Sequence, residues 1–179
     1  MNRVYGRTIR SIHGFPKPVV AIVEGVAAGA GANLALACDL VDATPSARFC
    51  EIFVKRGIGL DCGGSWLLPK LVGLQKAKEL AFFGDWVDAA EALSIGLVNA
   101  LYEETELEAA VEDRLQKLAS RPPIALQQIK QSLHRATSIT MGETLEVEAV
   151  AQAACAGTDD FMEGLRAFME GREPSFLGR

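Results

Sequence analysis

Apolar residues first cluster at Pro18-Val19-Val20-Ala21-Ile22-Val23, with Pro16 ahead of the run and Gly25 behind it. β-Branched enrichment and that bracketing predict a buried strand over residues 18–23. Next comes Gly25-Val26-Ala27-Ala28-Gly29-Ala30-Gly31-Ala32-Asn33, a stretch of very small side chains that reads as a loop. Leu34-Ala35-Leu36-Ala37-Cys38 reads as the helix this loop feeds. Residues 39–43 and 47–50 predict two further short strands, and residues 55–64 a glycine-rich loop that carries Asp61. From Ser65 onward the helical period takes over. Thr105-Glu106-Leu107-Glu108 has the spacing of a capping box, with Leu107, Val111, Leu115 and Leu118 as the apolar stripe behind it. Asp88-Ala89-Ala90-Glu91 and Thr140-Met141-Gly142-Glu143 carry the same start signal. Pro122-Pro123 separates two helices, and Leu126, Ile129 and Leu133 form the expected inner face of the second. Gly96-Leu97-Val98-Asn99-Ala100 predicts one more short strand.

The pattern therefore describes an α/β unit whose strands are few and early, with a helical back and neither a linker nor a fixed repeat. The strand over 18–23 is apolar on both faces and calls for sheet neighbours on each side. The seventeen residues before it do not provide them. The expectation is that another chain, or a sheet-forming N-terminal segment absent from this sequence, supplies the pairing.

Composition narrows the class. At 179 residues, with 49% apolar and 23% charged residues, the chain has the profile of a globular protein able to bury a core without disulfide or metal staples. With 18 basic against 23 acidic residues, its net charge of −5 argues against a nucleic-acid footprint. Cys38, Cys50, Cys62 and Cys155 form no CxxC pair and read as reduced thiols. No apolar segment follows the basic start as a signal peptide would require, and the longest uncharged stretch, residues 25–38, is too short to span a bilayer. A cytoplasmic protein with no membrane partner is the expectation.

Two segments carry candidate chemistry. A glycine-rich turn feeding a helix presents free N–H groups that suit a phosphate or a developing oxyanion. No Walker A or complete GxGxxG pattern supports the phosphate, and close helix–strand packing explains the small residues equally well. Asp61, set among apolar and glycine residues in Ile58-Gly59-Leu60-Asp61-Cys62-Gly63-Gly64-Ser65-Trp66, suits a proton shuttle. The plainer reading is an N-cap for the helix through Trp66. His13 and His134 build neither a triad nor a metal site. Arg166, Arg172 and Arg179 read as a solvated face.

Together these segments resemble the crotonase superfamily, the enoyl-CoA hydratase/isomerase family. The resemblance rests on residues 17–39, on 84–99 with Asp88-Ala89-Ala90-Glu91-Ala92 and Gly96-Leu97-Val98, and on Thr158-Asp159-Asp160-Phe161-Met162-Glu163-Gly164 with Phe168-Met169-Glu170-Gly171-Arg172. It implies an N-terminally incomplete β-β-α spiral core over residues 1–120 and a C-terminal helical oligomerisation region over 121–179, in a trimer or hexamer. It implies that a preceding segment holds the early strands, much of the coenzyme A site and one oxyanion-hole N–H.

By the same resemblance the other oxyanion N–H falls on Ala30, between Gly29 and Gly31. The carboxylate positions of hydratases fall on Asn33 and Phe53, neither a base, whereas Asp61 matches the aspartate of single-carboxylate isomerases. The implied substrate is an acyl-CoA whose double bond is shifted, with no metal or redox cofactor and coenzyme A arriving as part of the substrate. Phe53, Ile58, Leu60 and Trp66 are candidate walls of the acyl pocket. Hydration, with Glu51 lying close to one missing carboxylate, dehalogenation with Asp61 as nucleophile, and a catalytically poor remnant or assembly partner are the alternatives.

Overall fold

The computed structural model describes residues 2–179. The chain forms two compact units, one running up to Phe15 and over Val19–Ala110, the other made of Pro16–Pro18 and Val111–Arg179.

In the first unit, helix α1 (Asn2–His13) ends where Gly14 N–H donates to Arg10 O at 2.9 Å, ahead of the two prolines. Strands β1 (Val20–Val23) and β2 (Val26–Ala28) follow almost without pause, but they join different sheets. Gly25, at φ 78°, makes the corner between them, a conformation that side chains with a Cβ rarely adopt. Helix α2 (Ala30–Leu36) leads to β3 (Leu40–Ala43) and β4 (Arg48–Cys50). These repeat the step: β3 pairs parallel with β1, and β4 pairs parallel with β2. Two strands, a helix, then two strands stacked on the first pair make a turn of the β-β-α spiral implied by the resemblance.

The remaining elements complete both sheets. A 3-10 turn (Ile52–Arg56) and helix α3 (Gly64–Phe83), broken at Gly73 (φ 76°), lead to β5 (Val87–Asp88), which pairs antiparallel with β4. After α4 (Ala89–Ser94), β6 (Ala100–Leu101) pairs parallel with β3. Asp39 and Asn99 extend the first sheet by imitating backbone. Asp39 Oδ2 accepts from Val19 N at 2.7 Å and Asn99 Oδ1 from Val41 N at 2.7 Å. Val23, Val41, Phe49, Leu68, Leu80 and Val87 form the core between sheets and helices, and Ala32 and Ala35 let α2 lie close to it.

Several expectations need correction. The small-residue stretch over 25–33 is not a loop. It contains β2 and half of α2, because alanine suits either element, and Gly25 and Gly29 make the corners while Gly31 lies in the first turn of the helix. Within residues 55–64 the 3-10 turn extends to Arg56, so the loop proper is shorter. The strand expected over 96–100 is displaced to Ala100–Leu101, since Leu97 N–H and Val98 N–H return to Ala92 O to close α4. The 18–23 strand is not wholly without neighbours: β3 pairs one edge, and no described strand pairs the other. The start expected at Thr105 moves to α5 (Leu107–Ala119), with Ala110 N–H donating to Glu106 O.

In the second unit, helices α6 (Pro123–Ala136), α7 (Met141–Ala156) and α8 (Asp159–Glu170) pack in sequence. Thr140 and Glu143 complete the expected capping box of α7, and Asp88 caps α4 as expected. Ile129 and Leu133 do not face inward; both are exposed along an apolar groove of about 650 Å³ between α6, α7 and α8. The tail is tied down by Asp160, which accepts from Leu177 N and Gly178 N at 2.7 and 2.9 Å. Arg172 is exposed as expected, and there it forks onto Glu163 at 2.6 and 3.0 Å.

Leu68, on the inner face of α3, is 1% exposed. Leu68→Ala should lower the unfolding free energy by about 2–5 kcal/mol in urea titrations, the usual cost of a core leucine cavity. A loss below about 1 kcal/mol would show that this core does not depend on α3.

Candidate active site

The site is built where β2 hands over to α2. Gly29 caps the helix at φ 54°, and its N–H donates to Cys50 O at 2.8 Å, locking the turn onto the end of β4. A Cβ there would sit 3.3 Å from Ile52 Cγ2 and 3.6 Å from the Phe53 ring, so the conformation calls for glycine and a side chain would also press on Ile52. The first helical bond runs from Asn33 N to Gly29 O at 3.0 Å. The amides of Ala30, Gly31 and Ala32 therefore precede the helical ladder and point out of its end.

Asn33 is completely buried. Its Nδ2 donates twice, to Glu51 Oε2 at 3.3 Å and to the Asp61 carbonyl oxygen at 3.0 Å. Its Oδ1 has no hydrogen-bond partner. Gly64 gives the amide its room, since a Cβ at that position would lie 2.6 Å from Nδ2 and 2.9 Å from Oδ1. One side chain thus joins α2, the end of β4 and the entrance to α3.

Asp61 is held through its backbone. Its carbonyl accepts from Asn33 Nδ2 and from Gly64 N at 3.1 Å, and its Oδ1 accepts from Cys62 N at 2.7 Å. The second carboxyl oxygen has no partner among the described residues. Cys62 lies at φ 53° and Gly63 at φ 84°, so the chain enters α3 through two left-handed residues. The expected Asp61 cap is corrected: Gly63 occupies the N-cap, and no side chain caps this helix. The Asp61 carboxylate is not committed to the helix end.

The other candidates divide. Phe53 is buried over Gly29. Leu60 packs on the core, and Ile58 is largely exposed. Trp66, 43% exposed, meets His13 edge-on at 5.1 Å between ring centroids and carries Lys70 Nζ 4.5 Å above its ring. Gly29, Ala30, Gly31 and Asn33 share the start of α2, with Phe53 over Gly29 and the Asp61 carbonyl on Asn33, whereas Ile58 and Trp66 are exposed and Trp66 packs with His13 and Lys70.

Glu51 and Gly64 are the residues that sequence reasoning undervalued. Glu51 is 5% exposed, and burial pushes its carboxyl up to about 7, with the Asn33 amide pulling the other way. Burial also raises the Cys62 thiol, helped by Asp61 and Glu51 nearby. A carboxylate placed directly after the apolar pair Phe49-Cys50 was the available signal for Glu51, and the Gly63-Gly64 pair at a helix start was the signal for Gly64. Among the described residues, no group of three or more His, Cys, Asp or Glu side chains is placed to hold a metal. No helix among them is long and apolar enough to cross a membrane.

Comparison with known proteins agrees with this geometry. Residues 4–179 match the family model for enoyl-CoA hydratase/isomerase. The chain is 37% identical over 179 residues to a 1,2-epoxyphenylacetyl-CoA isomerase of Escherichia coli K12, covering all of this chain and 68% of that protein. It is 35% identical to a short-chain-enoyl-CoA hydratase of Clostridium acetobutylicum, covering 97% of this chain and 69% of that one. A crystal structure of an enoyl-CoA hydratase from Bacillus anthracis superposes with a TM-score of 0.94 at 33% identity, covering 98% of this chain and 68% of the other. The chain belongs to the enoyl-CoA hydratase/isomerase family and has its crotonase fold. It spans about two thirds of the length of the relatives it matches.

The raised Glu51 carboxyl has a consequence for stability. Unfolded, the group titrates near 4.5; folded, near 7. Folding then favours the protonated form, so this contribution is full below pH 4.5 and is lost as pH rises through 7. The loss is roughly 3 kcal/mol by the pKa difference. Glu51→Gln, which cannot ionise, should remove that decline, and its stability relative to the parent should rise between pH 5 and pH 8 in denaturant titrations. Parallel pH profiles for the two proteins would show that folding does not raise the Glu51 carboxyl.

Proposed function

We propose that this chain carries the catalytic half of an acyl-CoA isomerase that shifts a double bond in an enoyl-CoA thioester. The observation that carries this reading is the pairing of side chains at the site. Positions 33 and 53 hold a buried amide and a buried phenyl ring, so Asp61 is the carboxylate of the constellation with an oxygen left open to a substrate. Likeness to an isomerase acting on an epoxyphenylacetyl-CoA supports the same assignment.

In this mechanism the thioester carbonyl lies at the Ala30 N–H, at the start of α2. Asp61 takes a proton from carbon, and the electron pair moves through the thioester to leave an enolate oxygen. The Ala30 amide donates to that oxygen, and the positive end of the helix adds to its stabilisation. The protonated Asp61 then returns its proton two carbons along, completing the shift with no net gain or loss of atoms. Phe53 flanks the reacting end, and Leu60, Ile58 and Trp66 border the acyl side. Coenzyme A enters and leaves as part of the substrate, and no other cofactor takes part.

Water addition is the second reading, and Glu51 is the observation in its favour, because a carboxyl near 7 suits acid–base work at neutral pH. Against it, Glu51 lines, with Leu36, Leu68 and Leu97, an apolar cavity of only about 10 Å³, at the lower limit for one water molecule.

The second unit supports an assembly of several copies. Val150, Leu133 and Phe168 stand exposed on its helices, Phe168 at 84%. Surface of this kind is ordinarily covered by a partner. We infer a homo-oligomer in contact through residues 122–176; sedimentation as a monodisperse monomer would remove that inference.

In a full-length context, Asp61→Asn should lower conversion of a 3-enoyl-CoA to the 2-enoyl-CoA by at least about a hundredfold, with little change in acyl-CoA binding. A rate within a few-fold of the parent would reduce Asp61 to a structural turn residue. On one preparation, isomerisation should outrun hydration of a 2-enoyl-CoA; the reverse order would transfer the assignment to the hydratases.

A further inference from the structure

Glu51 takes no part in the proton transfer described above, yet it is a nearly buried carboxylate attached to the site. Its Oε2 accepts from Asn33 Nδ2, and the same nitrogen donates to the Asp61 carbonyl. That carbonyl belongs to the peptide leading into Cys62, whose φ of 53° is unfavourable for a residue with a Cβ. Such a conformation persists only where its surroundings over-determine it. Here the holding contacts are Asn33 Nδ2 and Gly64 N on the Asp61 carbonyl and Cys62 N on the Asp61 carboxylate. The Asn33 amide is itself confined on its other side by Gly64, within the space a Cβ would take. Its remaining anchor is Glu51.

We propose that Glu51 is a positioning residue for Asp61, acting through the buried amide of Asn33. The proposal rests on the reading of Asp61 as the proton shuttle. An ionised carboxylate accepts from an amide more strongly than a protonated one. The hold on the Asp61 turn is therefore tighter when Glu51 is charged and looser when it is neutral, and its carboxyl changes state at about 7. Among titratable neighbours, Glu51 faces the thiols of Cys50 and Cys62, with Asp61 on the same loop as Cys62. Both thiols are pushed up by burial and stay neutral in this range. Lys55 and Asp85, which also act on Cys50, pair with each other at 2.8 Å. Helices α2 and α3 turn Leu36 and Leu68 toward the same space as Glu51 and add no charge there.

The test has two readouts. In the ligand-free protein, NMR signals of the Asn33 side-chain amide and of the Asp61 and Cys62 backbone amides should titrate with the Glu51 carboxyl, sharing a midpoint near pH 7. Glu51→Gln should abolish that shared titration while leaving the fold intact. In turnover of a 3-enoyl-CoA, Glu51→Leu should lower kcat by about tenfold or more with a small change in KM, as expected for a displaced shuttle. Glu51→Gln, which still offers an acceptor to Asn33, should recover part of that loss without the inflection near pH 7. Asp61 and Cys62 signals that ignore the Glu51 titration would overturn the proposal, whatever the turnover. So would a Glu51→Leu enzyme with the parent's rate and pH profile. A parent protein with the shared titration but no isomerisation would uphold the positioning and overturn the isomerase reading alone.

Discussion

The site depends on a single buried amide. Asn33 sits inside α2 with no access to water, and its Nδ2 is shared between Glu51 and Asp61. Nothing else described in the structure ties the start of α2, the end of β4 and the entrance to α3 to one atom. A buried polar group satisfied on one side costs stability on the other. The unpartnered Oδ1 is that cost, and it is accepted at the point where the proposed oxyanion donor and the proposed shuttle must keep a fixed relation.

The spiral explains why such a tie is needed. Consecutive strands leave the Gly25 corner for different sheets, so the elements after β2 and after β4 belong to successive turns. Backbone ladders fix each turn internally, but the helix after one and the loop after the next share no ladder. Gly29 N to Cys50 O makes one cross-link through the main chain. Asn33 makes the other through a side chain.

Much of this was legible in the sequence. Pro16, Pro18 and the β-branched run located β1, and the Asp88 and Thr140 starts were read correctly because a cap is a local contract between residues three apart. The family resemblance, carried by residues 17–39, 84–99 and 158–172, foretold the spiral and pointed to Ala30, Asn33 and Asp61 as candidates for one site. Other features escaped local reading. Val26-Ala27-Ala28 has no strand signature of its own and becomes a strand only because β4 lies alongside it. Ile129 and Leu133 have helical spacing, but spacing cannot say whether a stripe meets its own unit or open solvent. Glu51 entered the sequence reading only as a residue close to one missing hydratase carboxylate. Its burial follows from the arrival of α2 and α3 above it, a long-range event.

The β2–β4 ladder adds a mechanical tolerance. It is only three residue pairs long, Val26 with Arg48 through Ala28 with Cys50. Parallel strands lie about 4.8 Å apart and advance about 3.3 Å per residue. The gap crossed by Asn33 is thus ruled by the lattice of the sheet, and side-chain choice only fills it. A slip of one residue in that short ladder would carry Glu51 past the amide by more than the difference between a good hydrogen bond and none. The alignment of the proposed chemistry is then only as secure as the register of those three pairs, which makes that short ladder its gauge block.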